Sequence, residues 1–94
     1  MNLVAVTQRV EIFDKYHEVR DVLDQRLSTF LINAGYLPVL IPNSFNNIII
    51  KKWLLSIQPA AIVLSGGNDI GEQLNRDNTE AYLLNYAQEQ NYPV

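Results

Sequence analysis

The sequence predicts an α/β domain, a doubly wound sheet of parallel strands with helices on both faces, in the order β-α-β-α-β-α-β. Three observations predict it. Short, almost unbroken apolar runs (LVAV, PVLI, AIVL) recur along the chain, as strands buried on both faces require. Longer segments between them carry apolar residues at helical spacing. No repeat, low-complexity tract or linker interrupts the alternation, so residues 1–94 read as one unit.

Each element has its own signal. Leu3-Val4-Ala5-Val6 is the first strand. The first helix is expected from Val19: Leu23, Leu27, Phe30 and Ala34 fall on one stripe, Asp21, Gln25 and Ser28 lie opposite, and Gly35 supplies a left-handed stop. Pro38-Val39-Leu40-Ile41 is the second strand. Ile50, Trp53, Leu54 and Ile57 then repeat the i, i+3, i+4, i+7 pattern, with Asn43 or Ser44 as the cap and Pro59 as the end. Ala61-Ile62-Val63-Leu64 is the third strand. In the third helix Asp77 and Glu80 have capping-box spacing, and Thr79, Leu83, Tyr86 and Ala87 form the inward side. Tyr92-Pro93-Val94 reads as the start of a fourth strand. Trp53, Tyr82 and Tyr86 sit at core spacing and read as packing residues.

Composition narrows the function. A chain of 94 residues buries only about 60 to 65% of its unfolded surface, so its core is small. With 48% hydrophobic and 18% charged residues, the composition is that of a globular protein. The net charge is −3 and Lys51-Lys52 is the only basic pair, which gives no footprint for nucleic acid or an anionic membrane. Cysteine is absent, which removes disulfides, thiolate metal sites and thiol nucleophiles together. No metal site or cofactor is indicated. The opening MNLVAVTQRV has no basic stretch and too short an apolar run for a signal peptide or a membrane span, so the expected compartment is cytoplasmic.

The stretch that carries chemistry is IVLSGGNDIGE, residues 62–72, where an apolar strand runs into two glycines. Ligands of such sheets bind beyond the carboxyl ends of the strands. Glycine admits positive φ and close approach to its amide, so Gly66-Gly67 either presents N–H groups to a developing negative charge or makes a tight turn. Familiar phosphate loops do not fit. The Walker pattern needs a lysine followed by serine or threonine, and the dinucleotide fingerprint needs its glycines after the first strand, where Thr7-Gln8-Arg9 stands. A phospho-receiver would want acids where Thr7-Gln8 and Ser65 stand.

LSGGNDIGE, Arg76-Asp77-Asn78-Thr79-Glu80 opening a helix, and Asn91-Tyr92-Pro93-Val94 opening a strand together resemble the class I glutamine amidotransferase-like superfamily. The gamma-glutamyl hydrolase-like branch fits best. Thr7-Gln8-Arg9 and Arg20-Asp21-Val22-Leu23-Asp24-Gln25 agree with it. The resemblance implies a flavodoxin-like sheet of which residues 1–94 are the N-terminal portion, and a cysteine hydrolase or amidotransferase acting on a gamma-glutamyl amide. By that similarity the Gly67 amide is one of two donors to the tetrahedral oxyanion, and Gly66 permits the turn.

The sequence departs from the family in one respect. The nucleophile elbow should follow the Pro-Val of the fourth strand, with histidine and glutamate later still, and no residue here matches any of the three. His17 therefore reads as a solvated or capping residue before the first helix. Asp21 and Asp24, three apart on the expected helix, read first as a solvated face and only second as an acid–base pair or metal ligands, since no third ligand is near in sequence. Arg20 and Arg76 are candidates for holding a substrate carboxylate, Arg76 equally for pairing with a neighbouring acid. Asn68 and Asp69 either line the pocket or close the turn.

Two readings follow. One is the front portion of an amidotransferase-like enzyme, inactive alone, whose triad is either lost by mutation or carried on a complementing C-terminal portion. The other is a small non-catalytic module that binds an anion or a partner protein through Gly66-Gly67. A fourth strand cut at Val94 would leave an unpaired edge and favour self-association.

Overall fold

The structure is a computed structural model that describes residues 1–66 and 74–94. Three parallel strands form the sheet: β1 (Asn2–Val6), β4 (Tyr36–Leu40) and β5 (Ala61–Val63), in the order β4-β1-β5. Asn2 to Val6 pair with Tyr36 to Leu40 on one side, and Val4 to Val6 pair with Ala61 to Val63 on the other. The ladder runs on past the strand ends, where Ile41 N–H donates to the Val6 carbonyl at 3.1 Å and Thr7 N–H to Val63 at 3.0 Å.

Central β1 shows why its run is unbroken. Successive side chains point to opposite faces, and both faces are covered. Val4 and Val6 pack against Leu31 of α1 (Gln25–Asn33), with Leu23, Leu27 and Val63 around them. Ala5 faces the other way. There it joins Ile41, Ile62, Ile50 and Leu54 of α2 (Asn47–Ile57), and Leu83 and Ala87 of α3 (Leu74–Gln90). Helices thus flank a parallel sheet on both sides, as the apolar runs predicted. Among the described residues, no helix is long and apolar enough to cross a membrane.

The main departure from expectation lies at residues 9–22. Instead of leading into a helix, they form an antiparallel hairpin of β2 (Arg9–Phe13) and β3 (Glu18–Val22), joined by a 3-10 turn at Asp14–Tyr16. His17 occupies the left-handed position of that turn, at φ 53°, not a helix entry. Arg9-Val10-Glu11-Ile12 alternates with the period of two that a strand needs, and its pairing with β3 takes up residues 19–22, which the helical stripe had claimed. The helix starts only where a cap permits it. Asp24 is that cap, accepting from the Arg26 N–H at 2.8 Å. Asp21 and Asp24 therefore do not share a helix. Starting at Gln25 also changes the inward face: Leu27 and Leu31 point to the sheet, while Phe30 is 67% exposed and Ala34 is exposed. Gly35, at φ 94°, stops the helix as expected.

The other helices shift less. α2 is capped by Asn46, whose side chain accepts from Ile49 N–H at 2.9 Å, rather than by Asn43 or Ser44. Ile50 and Leu54 are buried, and Trp53 packs beside them. A left-handed Gln58, at φ 48°, closes the helix just before Pro59. α3 is helical from Leu74 among the described residues, so Asp77 and Glu80 lie within it and do not form its capping box. Thr79, Leu83 and Ala87 face inward as predicted. Tyr92-Pro93-Val94 is not a formed strand. Its backbone does reach β5, since Ile62 N–H donates to the Pro93 carbonyl at 2.9 Å, while Tyr92 stacks on Tyr86 with ring centres 5.7 Å apart.

Candidate functional site

At the carboxyl edge of the sheet the apolar core gives way to buried polar side chains. Thr7 is fully buried, and Gln8, Asn43 and Arg76 are nearly so. Thr7-Gln8 directly follows β1 and Leu64-Ser65-Gly66 directly follows β5, so two adjacent parallel strands deliver these residues side by side. Thr7 Oγ1 accepts from the Ser65 N–H at 2.9 Å. The bond spans from the central strand to the start of the glycine loop, and fixes where that loop leaves the sheet.

Arg76 closes the cluster from α3. Its Nε donates to the Gln8 carbonyl at 3.2 Å, and its Nη2 donates to the Ser65 carbonyl. The same Nη2 lies 2.6 Å from Glu80 Oε1, one turn along the helix. That contact is an ion pair rather than an aligned hydrogen bond, since Oε1 has no hydrogen-bond partner. Burial pushes the Glu80 carboxyl above the usual range, Arg76 pulls it back in part, and Asp77 adds to the rise. With its side chain only 8% exposed, Arg76 ties together both strand ends. Of the two roles open to it in the sequence, the geometry shows the pairing with an acid.

The remaining candidates fall apart spatially. Arg20 projects from the hairpin, where it pairs with Glu18 at 2.6 Å and lies 4.0 Å over the Phe13 ring. Asp24 is exposed and bonded to Arg26, and those hydrogen bonds, from the guanidinium first and then the amide, hold its carboxyl down to about 2. Tyr82 and Tyr86 pack at the margin of the core, as their spacing suggested. Gly67, Asn68 and Asp69 lie outside the described residues. Among the described residues, no cluster of three or more histidine, cysteine or acidic side chains is arranged to hold a metal.

Gly66 is exposed at the mouth of a cleft of about 390 Å³. Arg9, Leu23, Asp24, Leu27 and Ser65 also line it, which places the cleft between the end of β5 and the start of α1. Among the described residues a Cβ built on Gly66 meets nothing within 4 Å, and its φ is not in the left-handed region. Positive φ is thus not the reason for glycine at 66. Gly66→Ala is expected to leave stability unchanged or raise it by about 0.4–1 kcal/mol, through a stiffer unfolded chain. Urea unfolding checks this, and a loss above about 1 kcal/mol would show a constraint that this geometry lacks.

No family model matches this chain, and no curated protein matches it. The site therefore rests on its own geometry. Thr7 and Gln8 build it most directly, and no catalytic motif of the sequence marks them. Two polar residues directly after the central apolar strand were the available signal, because a polar pair at that edge must find partners if buried.

Proposed function

We propose that this chain is the oxyanion-loop portion of a class I glutamine amidotransferase-like domain of the gamma-glutamyl hydrolase-like branch, with its sheet continuing in the flavodoxin-like order. The observation that carries the reading is the anchoring of Ser65. Its N–H is held by Thr7 and its carbonyl by Arg76, so the peptide leading to Gly66-Gly67 leaves a buried parallel strand in a fixed direction. An oxyanion hole needs such preorganisation, because its donors gain most when they need not reorient as charge develops. The strand order β4-β1-β5, with Pro93 bonded beside β5, supports a sheet that grows from the β5 side.

In the proposed chemistry the chain supplies no nucleophile, for it contains no cysteine. A cysteine thiolate from a complementing segment attacks the side-chain carbonyl of a gamma-glutamyl amide. The carbonyl oxygen takes the negative charge beside the Gly67 amide. The intermediate collapses to a thioester as the C–N bond breaks, and the nitrogen leaves with a proton from the histidine of that segment. Water then cleaves the thioester, giving glutamate and the free thiol. The Arg76–Glu80 pair takes no proton in this scheme and holds the loop.

The purified chain alone is expected to show no release of ammonia from glutamine or of amine from a gamma-glutamyl amide. Co-expression with the polypeptide encoded downstream of the Val94 codon, in whichever frame carries a glycine-flanked cysteine followed by histidine and glutamate, is expected to restore turnover. Turnover by the chain alone sinks the reading. A folded but inactive pair favours the non-catalytic binding module.

A further inference from the structure

A second cleft, of about 240 Å³, opens on the other face of the hairpin. Arg9 and Val22 are cross-strand partners and line the first cleft, whereas the next pair, Val10 and Asp21, lines the second, as alternation along a strand requires. Asn43, Ser44 and Asn75 form the opposite wall. Among the described lining residues Asp21 carries the one formal charge, and it is negative.

Asn43 is only 5% exposed, and its bonds determine its orientation. Nδ2 donates to the Gln8 carbonyl at 3.0 Å and to Asp21 Oδ1 at 2.9 Å, while the Asn43 N–H donates to Asp21 Oδ2 at 3.2 Å. A flipped amide would set its oxygen against two acceptors, so the assignment is chemically fixed. Oδ1 is then left buried with no hydrogen-bond partner. A buried acceptor in that state costs free energy that an incoming donor recovers. Asp21 also has acceptor capacity left, because a carboxylate offers about four lone-pair sites and Asn43 takes two of them. Above this polar floor Val19, 65% exposed, makes an apolar rim.

We infer that this cleft binds the ammonium head of a small aliphatic amine. Asp21 and the Asn43 carbonyl accept from the head, and Val10 and Val19 cover the alkyl part. An anion is repelled by Asp21, and a neutral alcohol satisfies the acceptors without meeting the charge. The inference does not depend on the amidotransferase-like reading, since it uses neither the glycine loop nor the first cleft.

The probe is n-butylammonium, titrated into the isotopically labelled chain at constant ionic strength, with n-butanol and butyrate as controls. Saturable shifts at Val10, Val19, Asp21 and the Asn43 side-chain amide are expected, with a Kd on the order of 1–10 mM for so small a ligand. Butanol should bind at least about tenfold more weakly and butyrate not at all. Asp21→Asn should weaken the amine about tenfold or more by removing the charge. Val19→Lys places a competing ammonium at an exposed rim position and should have the same effect with the Asp21–Asn43 bonds intact, so the test survives if Asp21→Asn does not fold. Absence of saturable shifts, equal binding of butanol, or unchanged affinity in Val19→Lys overturns the inference.

Discussion

Arg76→Met is expected to destabilise the chain by about 3–5 kcal/mol, as loss of one partner from a buried ion pair does. A domain of this size has only about 5–14 kcal/mol to lose. Methionine fills much of the same volume but donates to nothing. The Ser65 carbonyl loses the Arg76 donor, and the Glu80 carboxylate, its side chain 19% exposed, loses its cation. Arg76→Lys is expected to recover little, because one ammonium cannot span the Gln8 carbonyl, the Ser65 carbonyl and Glu80 as a planar guanidinium does.

The pH dependence separates this mechanism from simple loss of packing. The Glu80 carboxyl is held above its ordinary value of 4.5 in the folded chain, chiefly by burial. The folded state therefore binds that proton more tightly than the unfolded state, and the associated stability is present below about 4.5 and lost as pH rises through the folded value. Without Arg76 the carboxylate is costlier still, so the variant should lie closer to the parent at acid pH and fall away from it towards neutrality. Glu80→Gln in the same background should remove that slope and return about 1–2 kcal/mol at neutral pH. Urea midpoints across the range decide it. A penalty that is the same at every pH would assign Arg76 a packing role only.

How much of this was legible in the sequence depends on the range of the forces involved. The three parallel strands were readable because β1 is covered on both faces, and a strand covered on both faces has no choice but to be apolar throughout, as Val4-Ala5-Val6 is. The hairpin was not read, because its strands are short, charged on one face, and set beside a stripe from Val19 to Ala34 that also fits a helix. Local capping by Asp24 decided between the two, and a cap of this kind is worth only about 1 kcal/mol, too little to stand out against a 16-residue pattern. The polar cluster was half visible. Arg76 was singled out, but its partners Gln8 and Ser65 are 68 and 11 residues away in sequence, and only the folded sheet brings their carbonyls together. Asn43 looked like a helix cap for the same reason: it sits at the right distance before α2, yet its side chain is taken up by Gln8 and Asp21.

In the reconstituted assembly, Gly67→Pro is expected to lower turnover by about 10² to 10³, the usual cost of one oxyanion donor. Proline has no N–H, so the substitution deletes the proposed donor outright, whereas Gly67→Ala keeps the N–H and tests the backbone alone. The effect should appear in kcat and in kcat/KM alike, because the bond is made to the tetrahedral oxyanion and not to the ground-state carbonyl. A rise in KM with kcat unchanged would instead place Gly67 in substrate binding. The upstream anchor gives an independent check on the same loop. Thr7→Val keeps the shape of a fully buried side chain and removes the acceptor that holds the Ser65 N–H at 2.9 Å. If the loop works by preorganisation, Thr7→Val should also slow turnover, though less than Gly67→Pro, because the donor is still present and only its aim is loosened. Full activity in both variants would remove the glycine loop from the chemistry.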